Sequence, residues 1–212
     1  MGCPWSQSKC SGGQAASLEF SSNGSVSKTQ MKDNAPHYLK SETDRAKDFH
    51  KLHIDPRVPL SNQQAFKLLQ SWRGITRKMG DAGVEMFVQL FRSNSELQAM
   101  FKGFKDIKTD SELRSNEALE NHATLVMTTL DDAITHIDNY EYVKDLLYRT
   151  SATHTKFTGF QPAYFMHVKE PFLEAVRVTL GDRYTDNMQN IYTIAITYVL
   201  QTLKEGMEEA LK

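Results

Sequence analysis

From residue 61 onward, apolar positions recur every three or four residues, the spacing of one helix face after another. Ser61 and Gln64 form a capping box ahead of Phe66, Leu69, Trp72 and Ile75, which predicts a first helix. Gly80 and Gly83 bracket Asp81, expected to cap a second helix through Met86, Phe87, Leu90 and Phe91. Asn94 or Ser95 opens a short turn that ends near Met100 and Phe101, and residues 103–114 read as a loop with a brief helix. A long helix is expected from Ser115 through Leu119, Val126, Leu130, Ala133 and Ile137, and another from Asn139 to about Thr155. Gly159 interrupts the pattern, and Pro162 sits where a first helical turn accepts proline. That helix ends at Gly181, and a last one spans Thr185 to Leu211. Strand periodicity and internal repeats are absent. The expected class is all-α, with six to eight packed helices.

Residues 1–60 read differently. Their first thirty hold eight serines and four glycines without helical or strand periodicity, too little apolar surface to offset the entropy of ordering. The expected organisation is a disordered tether over 1–60 and one domain over 61–212. Of the 212 residues, 40% are hydrophobic and 24% charged, with a net charge of −1, so no strong field draws the chain to nucleic acid. Both cysteines, Cys3 and Cys10, fall in the first ten residues and can neither staple the main body nor build a zinc site there. No apolar run is long enough to cross a bilayer, and the start lacks a secretory signal.

Seven histidines are present. His122 lies in the stripe Leu119, His122, Val126, Ala133, the expected buried side of its helix. His154 lies in line with Leu147 and Thr150 on the next helix. A single inward histidine is ordinarily a hydrogen-bonded core residue. Two on consecutive helices can also face each other across a flat cofactor, since neutral imidazole is a common iron ligand. His37, His50, His53, His136 and His167 are left as solvent-exposed or structural residues.

Phe101 and Phe104 precede His122, with Phe101 21 residues upstream, and 32 residues separate His122 from His154. With the early Trp72 and with Val126 one turn after His122, this order resembles the globin family over residues 61–212. The resemblance implies a globin fold around heme b. It makes His154 the proximal iron ligand and places His122 over the distal iron face, where it either ligates iron or hydrogen-bonds a bound ligand. It stacks Phe101 on the porphyrin, and it puts Phe87, Val126 and Phe104 around the pocket. Oxygen, carbon monoxide and nitric oxide are the implied ligands. Two positions depart from the family pattern. Ser95 stands where a proline is usual near the start of the third helix, and Thr150 stands where leucine is common, making the proximal side more polar.

The start Met1-Gly2-Cys3-Pro4-Trp5-Ser6 fits N-myristoylation on Gly2, with Cys3 placed for S-palmitoylation. One myristoyl chain anchors only marginally, and two acyl chains anchor stably. A polybasic substitute is poor, because the first 32 residues hold three lysines and one glutamate. Together with the globin pattern, this start is similar to the globin X branch, membrane-anchored relatives of neuroglobin. That likeness implies a lipid-anchored protein on the cytoplasmic face of the plasma membrane, with iron held by both histidines. It also implies a reductase or electron-transfer partner and roles in electron transfer, lipid protection or nitrite reduction. An oxygen storage or supply protein with an open sixth site is the alternative, and a heme-free sensor module of the same shape is a third.

Overall fold

The computed structural model describes residues 52–212. Eight α-helices occur among them: α1 Asn62–Thr76, α2 Met79–Ser93, α3 Ser95–Gln98, α4 Asp110–Arg114, α5 Glu117–Thr135, α6 Tyr140–Ala152, α7 Lys169–Leu180 and α8 Asp186–Ala210. Short 3-10 turns at Thr153–Lys156, Pro162–Val168 and Gly181–Arg183 supply the tightest connections. No strand occurs among the described residues.

Local sequence explains most of the boundaries. The Ser61 hydroxyl accepts from the Gln64 amide, and the Gln64 side chain accepts from the Ser61 amide, so the expected capping box forms. Asn116, Asn139 and Thr185 cap α5, α6 and α8 through their side-chain oxygens. Asp81 does not cap α2. The helix begins two residues earlier at Met79, and Asp81 lies in its first turn, where its charge favours the helix dipole. The helix expected from Pro162 forms in two pieces, a 3-10 segment and then α7.

Two close crossings place the helices that matter. A Cβ at Gly83 on α2 would lie 2.7 Å from Met127 Cγ and 3.1 Å from the Ala123 carbonyl oxygen on α5. A Cβ at Gly206 on α8 would lie 2.6 Å from Ser151 Oγ and 2.8 Å from Tyr148 Cα on α6. Glycine at each point lets two backbones approach where any side chain would hold them apart. Elsewhere the interior closes around Trp72, whose ring packs against Phe172 and Tyr192 and whose Nε1–H donates to Asp131 at 2.7 Å.

The packed chain reaches upstream of residue 61. Ile54, Val58 and Leu60 are buried in the core, while Arg57 pairs with Asp55 and Glu141 and covers the Tyr140 ring at 3.7 Å. Three apolar residues around a proline-containing turn, closed by the Val58 amide donating to the Asp55 carbonyl at 2.9 Å, are too short a pattern to register as a helix face, yet they bury as a strap. Gly2 and Cys3 lie outside the described residues.

Candidate functional site

The α5 seam differs from the expected stripe. Leu119, Ala123, Met127, Leu130, Ala133 and Ile134 are buried, whereas His122 and Val126 are half-buried on the flank. The cause is the Gly83 crossing, which runs through Ala123 and Met127 and turns His122 to the edge of the contact. There its ring meets Phe87 and Phe101 edge-on, at centroid distances of 5.0 and 5.1 Å. Phe101 stacks on Phe104 at 4.9 Å, and Phe91 touches Phe87, Phe101 and Phe104. Phe104 is buried behind Phe101 without a ring contact to His122, so it supports the site from the core. His122 has no hydrogen-bond partner among the described residues.

His154 is held in another way. The helix expected to reach Thr155 stops at Ala152, and His154 sits in the 3-10 turn that follows. Its Nδ1 lies 3.0 Å from the Thr150 carbonyl oxygen. A carbonyl only accepts, so Nδ1 carries the proton and Nε2 keeps its lone pair. The ring packs against Phe165 at 4.9 Å, Phe160 at 5.1 Å and Phe157 at 6.2 Å. The Thr150 hydroxyl donates to Leu146's carbonyl at 2.8 Å. The extra polarity expected from Thr150 is therefore absorbed within its own helix.

Both imidazoles are pushed toward neutrality. Burial, and to a smaller extent the repulsion that would arise were His122 and His154 both protonated, lowers the His122 pKa to about 4. Burial also lowers that of His154, opposed by its backbone hydrogen bonds. No ring contact joins the aromatic nests of the two histidines. Among the described residues, no three His, Cys, Asp or Glu side chains converge as a metal cluster. Two imidazoles alone leave most of an iron ion's coordination sphere unfilled. A planar macrocycle that would supply the remaining donors suits this donor set. Heme fits the residues present.

An all-helical body offering two neutral imidazoles from separate aromatic walls is the architecture of a heme-pocket protein. The family model described as Globin matches residues 84–203, more than half of the chain, and the chain belongs to the globin family. It is 24% identical to cytoglobin-1 of Oryzias latipes over 74% of this chain and 89% of that one. It is 26% identical to neuroglobin of Chaenocephalus aceratus over 71% of this chain and 98% of that one. A solved structure of a hexacoordinated heme protein from an anhydrobiotic tardigrade aligns with a TM-score of 0.70 and 34% identity, covering 73% of this chain and 99% of that one. These likenesses place the chain among relatives of neuroglobin.

Reasoning from the sequence missed Phe91, Phe160, Phe165 and the Thr150 carbonyl. Phe160 and Phe165 were legible as an aromatic pair just beyond His154. The backbone acceptor carries no residue-type signal at all.

Proposed function

We propose that the protein is a redox globin that holds heme b between His154 and His122 and is fastened to the cytoplasmic face of the plasma membrane by lipids on Gly2 and Cys3. The observation that carries the heme reading is that each neutral imidazole retains a ring nitrogen free of any partner among the described residues. Heme, when bound, supplies iron for the exchange of electrons and of small ligands such as oxygen, carbon monoxide and nitric oxide. His154, its ring oriented by the Thr150 carbonyl, would be the constant ligand to the group. His122, held only by ring contacts with Phe87 and Phe101, would be the ligand that yields to small molecules. The similar tardigrade protein is a hexacoordinated heme protein, which supports iron held from both sides here. A b-type cofactor is favoured because the only two cysteines, Cys3 and Cys10, lie far along the chain from both histidines and form no heme-attachment motif.

Phe87, Phe101 and Val126 exclude water around His122, and that exclusion favours neutral imidazole over solvated imidazolium. Acylation supports the membrane reading because Gly2 and Cys3 offer two adjacent sites. No helix among the described residues is long and apolar enough to cross a membrane. A tethered globin would lie within reach of a membrane reductase, in keeping with electron transfer, lipid protection or nitrite reduction.

An optical spectrum tests the site. The reduced, ligand-free protein should show two sharp visible bands, whereas one broad band would mean an open sixth site and a storage role. Absence of any Soret band after heme is supplied would leave the heme-free reading. For the anchor, Gly2→Ala should move the protein from the membrane to the soluble fraction.

A further inference from the structure

The segment 101–108 joins α3 to α4 without regular helix, and it carries Phe101 and Phe104. Its own backbone folds it only locally. The Phe101 carbonyl accepts from the amides of Phe104 at 3.1 Å and Lys105 at 2.9 Å, and the Phe104 carbonyl accepts from Ile107 at 3.2 Å. Lys102, Lys105, Asp106 and Lys108 are exposed and make no ion pair among the described residues. The segment is tied down by Gln98, the last residue of α3. The half-buried Gln98 carboxamide donates to the Phe104 carbonyl at 2.9 Å and to the Ile107 carbonyl at 2.8 Å. A primary amide has two N–H donors, so both are used. The Gln98 backbone carbonyl also accepts from the Phe101 amide at 3.0 Å. No other side chain hydrogen-bonds to residues 101–108 among the described residues.

The carboxamide clamp is two contacts away from the distal imidazole. Phe104, whose carbonyl it holds, is buried and stacks on Phe101, and the Phe101 edge meets the His122 ring. The segment also lies tightly on α5. A Cβ at Gly103 would come 2.8 Å from the Ala118 Cβ, one turn before His122. To turn away, the His122 ring must displace the edge of Phe101. An irregular segment with few anchors opens easily, and two hydrogen bonds are a large part of what keeps this one closed.

We propose that Gln98 is a positioning residue for His122: by clamping the 101–108 segment it keeps Phe101 against the imidazole and slows the release of His122 from the iron, a role that rests on His122 being the reversible ligand. Gln98 touches neither histidine among the described residues and acts through the two phenylalanines.

The full-length protein, heme-loaded and reduced, is mixed with carbon monoxide at concentrations high enough that departure of His122 limits the rate. Gln98→Met keeps the length of the side chain and removes both donors. It should raise the limiting rate about fivefold or more, the scale of one or two neutral hydrogen bonds, and keep the two sharp bands of the reduced protein. Gln98→Asn, too short to reach both carbonyls, should change the rate in the same direction. Amide hydrogen exchange at Phe104 and Ile107 should quicken in both variants. In the His122→Leu background Gln98→Met should alter carbon monoxide binding less than about twofold, because the two residues act in series. Arg92→Gln, which opens the exposed Arg92–Asp110 pair at the start of α4, should leave the limiting rate within about twofold of the parent. With two sharp bands in the parent, an unchanged limiting rate in both Gln98 variants, an equal rise in Arg92→Gln, or an undiminished effect in the His122→Leu background would overturn the role of Gln98 and leave the heme reading standing. A lowered melting temperature without a change in rate would do the same. One broad band in the parent would overturn the reversible-ligand reading, and the role of Gln98 with it.

Discussion

His122 and His154 are both half-buried, both neutral and both ringed by phenylalanines, yet they are restrained by different forces. His154 lies in a tight turn with Nδ1 bonded to a backbone carbonyl, so its orientation is fixed by the chain itself. His122 lies within a long helix, and only the edges of Phe87 and Phe101 hold its ring. A hydrogen-bonded imidazole makes a constant ligand. One held by packing alone can rotate away for the loss of a few dispersion contacts. The contrast assigns the permanent role to His154 and the reversible one to His122.

Removing the fixed side should do the most damage. His154→Ala should lower heme affinity roughly 100-fold or more, since even outer-shell partners of a ligand cost about 10–100-fold; heme transfer to a competing apoprotein measures it. His122→Leu should keep the heme but replace two sharp reduced-state bands with one broad band, and speed carbon monoxide binding at least about tenfold. If the two variants behaved alike, the contrast would collapse.

Acid provides a third test. The unfolded chain takes up protons at the ordinary histidine value, near 6.5, whereas folded His122 resists until about 4. The contribution of His122 to stability is therefore fully present above pH 6.5, is lost as pH falls from 6.5 to 4, and levels off below. The loss attributable to His122 should be about 3 kcal/mol, read from urea midpoints, and largely absent in His122→Leu. Phe101→Ala should cost about 2 kcal/mol, less than a fully buried phenylalanine because Phe101 is half-exposed. Thr150→Val should change stability by less than about 1 kcal/mol and leave the spectrum unaltered, because His154 uses the backbone carbonyl of Thr150 and not its hydroxyl.

Much of this arrangement was legible in the chain. Caps at Ser61, Asn139 and Thr185 are local and fix helix starts from side-chain chemistry alone. The order of Phe101, His122 and His154 pointed to the pocket. What escaped was tertiary. The phase of α5 is decided by Gly83 of another helix, and so His122 sits on the flank and not in the central seam. α6 ends early in a turn where the His154 ring bonds a backbone carbonyl, a contact with no residue-type signal. The strap at Ile54, Val58 and Leu60 has no periodicity to read.

That strap has a mechanical consequence. Any pull exerted along the polypeptide from residue 51 would be delivered to the body where Arg57 grips Glu141 and Tyr140, at the leading end of α6. Exposed ion pairs yield easily, so the buried Ile54, Val58 and Leu60 would bear the load before the helix that ends beside His154 could be disturbed.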